Sequence, residues 1–191
     1  MTLVPLTSER IVPMPELFWH KSSLHGQAHV SRVMIHATRL VQATGQWHEA
    51  RRLWASVFLH DIARHHDGVC YRHGADAAAR LRDEPALQKW LAEVGLTAHD
   101  YPAIEAAVTA HSAPKEVPKS HPHWTLIALL KDADGLDRVR LGDLDPRYLR
   151  HAQARDMVPF AQALFDATDG RIAVGDSHFA SLCVMAHAIQ P

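Results

Sequence analysis

Apolar residues in this chain return every three or four positions, in one run after another, and that spacing constrains the fold more than any other feature. From about Leu24 to Ala43, the positions Val30, Val33, Met34, Ala37, Leu40 and Val41 line one face of a helix, and Gly45 stands just past its end. A second run, about Trp47 to Arg64, carries Leu53, Trp54, Val57, Phe58 and Ile62, and the Asp67-Gly68 turn signal follows it. Gly74 to Arg82 is rich in alanine, and Pro85 suits the first turn of the next helix. Tyr101 to His111 and Trp124 to Val139 continue the pattern. Between them, residues 112 to 123 hold three prolines and read as a loop. Two late helices, about Pro159 to Ala167 and Asp176 to Ile189, complete the series. No alternating stretch of useful length competes, so the expected fold is all-α.

A chain of 191 residues, 47% hydrophobic and 21% charged, has enough apolar material for one globular core. No repeat, low-complexity tract or linker divides it, and residues 1–191 read as a single domain. A formal net charge of -1 gives no general attraction to nucleic acid or acidic lipid, which argues against nucleic acid as a partner. Only Cys70 and Cys183 are present, far apart, so neither a disulfide framework nor a thiolate zinc site is suggested. The segment from Met1 to Pro15 contains three prolines and no basic region leading into an apolar run, unlike a signal peptide. No segment approaches the ~20 apolar residues that cross a bilayer. These readings predict a cytoplasmic protein with no membrane partner.

The second helical run delivers a His60-Asp61 doublet near its end, and His29, His73, His111 and Asp134 arrive from other segments. Neutral imidazole and ionised carboxylate together form the mixed nitrogen and oxygen ligand set that suits a divalent transition metal. Adjacent helical residues point about 100° apart, so His60 and Asp61 converge only on an ion lying off the side of the helix. Asp61 could then reach one ion or bridge two. An open coordination position would let the ion acidify a bound water.

The ordered set of segments resembles the HD-domain superfamily of metal-dependent phosphohydrolases. It comprises His25 to Val33 with His29, Leu59 to Arg64 with the doublet, Arg72-His73-Gly74, Ala110-His111-Ser112 and Lys131 to Arg138. The resemblance covers about residues 20–140 and implies a compact HD-type helical core, with a helical extension over about 141–191 packed on it. It implies that His29, His60, Asp61 and Asp134 hold one divalent ion. In the two-metal branch, His73 and His111 would hold a second ion and Asp61 would bridge the pair. Manganese, iron, zinc, cobalt, nickel and magnesium are not distinguished by the sequence. Some nucleotide-directed members carry an acidic residue where this chain has Arg64, and the arginine is expected instead to meet a phosphate oxygen.

Bland readings compete at several of these positions. Asp132, Asp134 and Asp137 lie close together; the resemblance favours Asp134, while Asp137, at i+3, could orient a ligand, a water or Arg138. His25 could cap the first helix, stand behind a metal ligand or touch substrate. Arg32, Arg64, Arg138 and Arg140 could be scattered surface charges, and Arg64 and Arg138 are the two assigned to an anion pocket. With 16 histidines in the chain, His36, His48, His65, His99, His151, His178 and His187 are read as structural or solvated, and His66 as either a pocket or a turn residue.

The expected function is a metal-dependent phosphohydrolase that directs activated water at a small phosphate ester or nucleotide, with Asp61, Arg64 and Arg138 in the reaction. Two alternatives use the same ligands: a di-iron oxygenase of HD type, and a non-catalytic metal-containing module that binds a nucleotide. The oligomeric state is not legible in the sequence.

Overall fold

The computed structural model describes residues 11–168 and 178–189. All nine α-helices among the described residues come from the periodic runs or the segments between them, and no strand occurs there. They are α1 (Gln27–Thr44), α2 (Ala50–Leu59), α3 (His73–Asp83), α4 (Pro85–Glu93), α5 (Tyr101–Ser112), α6 (Trp124–Leu136), α7 (Ala152–Asp156), α8 (Val158–Thr168) and α9 (His178–Ala188). The chain forms a single all-α domain. No helix among the described residues is long and apolar enough to cross a membrane. The N-terminal ten residues, and with them most of the segment read above for a signal peptide, lie outside the described residues, as do Asp176 and Ser177 at the expected start of the last helix.

Local signals set the boundaries. Gly45 ends α1 with φ 71°, the left-handed conformation that a residue without a Cβ adopts at no steric cost. Pro85 opens α4, where its missing N–H would have had no helical partner anyway. Helix α2 is shorter than its periodicity suggests. It stops at Leu59, and the chain from His60 to Ala63 winds on as tight turns, held by Ile62 N–H to Leu59 O and Arg64 N–H to Asp61 O. The apolar pattern runs on because Ile62 and Ala63 are still fully buried. Similarly, the Trp124 to Val139 run divides into α6 and a 3-10 turn over Asp137–Leu141.

Helices α1, α2, α5 and α6 pack around a common core that includes Val33, Met34, Leu40, Leu53, Phe58, Leu59, Ile104, Val108, Ile127 and Leu130. The Phe58 and Trp90 rings stack at 3.9 Å between centroids and join α4 to α2. The outer face of α1 carries a second, smaller cluster, in which Ile35 meets Phe160 and Leu164 of α8 and Leu182 and Ala186 of α9. That contact seats the C-terminal helices on the core.

Helices α3 and α5 pack closely at Gly74. A Cβ there would lie 2.2 Å from the Val108 carbonyl oxygen and 2.7 Å from Ser112 Oγ. Only glycine permits this spacing, and it brings His73 of α3 beside His111 of α5.

Candidate metal centre

Four helices and one turn each deliver a side chain to one point. His29 comes from the first turns of α1, His60 and Asp61 from the turn after α2, His73 from the start of α3, His111 from the end of α5 and Asp134 from the last turn of α6. His29, His60, Asp61 and His73 are buried; His111 and Asp134 are half-buried at the edge of a cleft. The donor atoms form overlapping groups: His25, His29 and Asp61; His29, His60 and Asp134; Asp61, His73 and His111.

The hydrogen bonds fix which ring nitrogens face the cluster. His60 Nδ1 lies 2.7 Å from the Val57 carbonyl, His73 Nδ1 lies 2.6 Å from the Cys70 carbonyl, and His111 Nδ1 meets the Val108 carbonyl. A carbonyl only accepts, so each Nδ1 carries the proton and donates it. His29 Nδ1 likewise donates to Asp137 Oδ2 at 2.7 Å. In neutral rings every Nε2 is then a bare lone pair, and these lone pairs face one another. His29 and His60 Nε2 are 3.1 Å apart, and His73 and His111 Nε2 are 2.8 Å apart.

Such an array repels itself unless positive charge sits within it. Two ligand atoms each about 2.1 Å from one ion, at a right angle or a tetrahedral angle, are about 3.0–3.4 Å apart. Around His29 the separations fall in that range, with Asp61 Oδ2 at 3.3 Å and Asp134 Oδ1 at 3.4 Å from its Nε2, while His60 Nε2 lies farther out, 3.6 Å from Asp61 Oδ2 and 3.9 Å from Asp134 Oδ1. The other Asp61 oxygen, Oδ1, is 3.1 Å from His73 Nε2 and 3.9 Å from His111 Nε2. The donor set could hold a metal ion, with one Asp61 oxygen turned to each histidine pair.

Titration behaviour carries the same message. Burial and the Arg140 charge oppose protonation of His29, yet Asp134, Asp137 and Asp61 outweigh them and raise it to about 9. His60 is pushed down to about 4 by burial, against the pull of Asp61 and Asp134. Burial works against ionisation of Asp61 and Asp134, but the surrounding imidazoles hold both carboxyls well below the usual range. Carboxylates that stay ionised in a buried site call for a cation, and a proton on His29 is the smallest one available.

Behind His29 stands a chain of support. Arg32 donates from Nε to Asp137 Oδ1 at 2.6 Å and from Nη2 to Oδ2 at 3.1 Å, and all three groups are buried. Asp137 thus fixes the His29 tautomer, while Asp134 faces the cluster. Asp132 points elsewhere: its oxygens accept from the backbone N–H groups of Arg150 and His151, both at 2.8 Å, at the start of α7. The three neighbouring aspartates are separated by what each one meets.

A cleft of about 380 Å³ opens over the cluster, lined among others by His25, Asp61, Arg64, His73, His111, Asp134, Arg138 and Arg140. His25 Nδ1 is 3.3 Å from Asp61 Oδ2 and 3.0 Å from Arg140 Nη2. Arg64 donates to the Gly68 carbonyl at 2.9 Å, and its Nη1 is 3.4 Å from His73 Nε2; its buried Nε has no acceptor in the protein. Arg138 lines the cleft but also pairs with Asp143 at the exposed side. Arg140, read from the sequence as a scattered surface charge, lies in the cleft with its side chain largely buried. Its i+3 spacing from Asp137 was the available signal, since Arg140 donates to the Asp137 carbonyl at 3.1 Å. His66 is exposed in the turn before Gly68 and does not line the cleft.

The chain matches no protein-family model, no curated protein and no solved structure.

Proposed function

We propose that this protein is a metal-dependent phosphohydrolase of HD type that cleaves a small phosphate ester or a nucleotide. The observation that carries the reading is the convergence of four imidazole Nε2 atoms on the two oxygens of Asp61. His29, His60, Asp61 and Asp134 would hold one ion, and His73 and His111, with the second Asp61 oxygen, another. Bound divalent ions supply Lewis acidity, which acidifies water and offsets charge on phosphate oxygens.

The protein's own groups do the remaining work. Asp137, clamped by Arg32, keeps the His29 lone pair aimed inward. Arg64 offers a buried Nε–H without an acceptor, a donor suited to a phosphate oxygen. Arg140 and Arg138 add positive charge along the cleft and favour a dianionic substrate.

The test is elemental analysis of gently purified protein, coupled to a phosphate-ester and nucleotide screen with each metal restored. His60→Ala should lose bound metal and lower kcat/KM by at least about 10²-fold. Full metal content and full activity in that variant would overturn the reading. Dioxygen consumption with iron bound, and no phosphate release, would move the site to oxygenase chemistry. Tight binding of a nucleotide with no turnover under any metal would make it a binding module.

A further inference from the structure

Four of the eight large hydrophobic side chains exposed among the described residues line one place, the cleft over the histidine cluster: Leu24, Val69, Tyr71 and Leu141. Single exposed apolar residues are ordinary, but their gathering at the mouth of a charged cleft calls for a ligand. Val69 is 76% exposed and Tyr71 59%, so the described part of the chain leaves them largely open to solvent. The four come from three separate segments: one before α1, one between the doublet and α3, and one at the end of the turn that follows α6.

Those segments are fastened to one another and to α5. The Ser22 hydroxyl donates to Asp67, Arg140 Nε donates to the Leu24 carbonyl at 3.1 Å, and Ser112 Oγ donates to the Tyr71 carbonyl at 3.1 Å. These bonds link the three segments around the mouth of the cleft. Several polar side chains that line the cleft outside the donor set already have internal partners: Asp67 has Ser22 and His20, Ser112 has Gly74 and Tyr71, and Arg138 has Asp143. That leaves the collar better equipped to cover carbon than to read sugar hydroxyls or the edge of a base.

We infer that the substrate is a phosphate monoester of a hydrophobic alcohol or phenol, its phosphate against the histidine cluster and Arg64 and its carbon body against Leu24, Val69, Tyr71 and Leu141. This rests on the phosphohydrolase reading and narrows it. A water oxygen forms the new bond to phosphorus. The bond from phosphorus to the ester oxygen breaks with its electron pair on that oxygen, which leaves as the alcohol on taking up the proton the water loses.

The test compares ethyl, butyl and hexyl phosphate, whose leaving groups are similarly basic, with glycerol phosphate and adenosine monophosphate, using metal-loaded full-length protein. With the chain half covered at an open mouth, kcat/KM should rise about tenfold or more from ethyl to hexyl phosphate. Val69→Asp and Leu141→Ser should each reduce the ratio of hexyl to ethyl, and far-ultraviolet circular dichroism would establish that both variants remain folded. A flat alkyl series, or faster cleavage of glycerol phosphate or the nucleotide, overturns the apolar collar and leaves the phosphohydrolase reading intact. Hydrolysis of none of the esters with any metal overturns both.

Discussion

At the scale of the residue, the histidines divide by what each Nδ1 meets. Those of His60, His73 and His111 donate to carbonyls three residues earlier in the chain, so local backbone fixes their tautomers. His29 depends instead on Asp137, more than a hundred residues away and itself gripped by Arg32. Replacing Asp137 by Asn would remove the charge that stabilises this arrangement and leave Arg32 buried without its ionic partner. The expected result is metal affinity weaker by roughly 10–100-fold, read by competition with a chelator, together with a lower Tm. Unchanged affinity would show that His29 needs no such anchor. His60 and Asp61 draw attention in the sequence because they are adjacent; Arg32 and Arg140 do not, because an arginine on a helix looks the same whether it faces water or a buried carboxylate.

Among the elements, the contact that matters most for the cluster is the crossing of α3 and α5. Gly74 sits where a side chain would strike the Val108 carbonyl, and backbone on both sides leaves little room to give. Gly74→Ala should push the two helices apart, separate His73 from His111 and destabilise the fold by about 1–3 kcal/mol, measured by urea denaturation. The metal content should fall more at this pair than at His29 and His60, so a protein that binds two ions would keep nearer one. An alanine variant with unchanged stability and stoichiometry would contradict the role assigned to the glycine. The shortened α2 teaches a related point. Apolar periodicity marks burial, and the buried turn at Ile62 and Ala63 preserves the pattern after the helix has ended.

For the whole molecule, one buried histidine outside the cluster couples stability to pH. His36 is fully buried against Phe160, both ring nitrogens lack hydrogen-bond partners, and burial lowers it to about 4. The unfolded chain takes up a proton near the ordinary value of 6.5 while the folded one does not, so the contribution of His36 to stability is full above pH 6.5 and falls as pH drops toward 4. For His36 that window corresponds to a loss on the order of 3 kcal/mol; His60, lowered to about 4, has the same sign, whereas His29, raised to about 9, has the opposite one, its contribution being full below pH 6.5 and lost as pH rises toward 9. His36→Phe should keep the ring packing and lower the slope of unfolding free energy against pH by up to about 1.4 kcal/mol per unit between pH 4.5 and 6. Denaturant titrations across that range would read it. An unaltered slope would mean that His36 is not held neutral.

The sequence by itself determined that this chain is all-helical and where most helices lie, because helix formation and its stop signals depend on residues a few positions apart. It also marked His29, His60, Asp61, His73, His111 and Asp134 as candidates and left Asp132, Asp134 and Asp137 unresolved. Tertiary structure decided among them: α7 draws Asp132 away, Arg32 and His29 engage Asp137, and Asp134 is left facing the cluster. Only the packed helices could bring Arg140 into the cleft beside Arg64 or set Leu24, Val69, Tyr71 and Leu141 around one mouth. The reason is physical: a side chain's neighbours at long range follow from how helices cross, and crossing geometry is set by the packed core as a whole and not by any local run of residues.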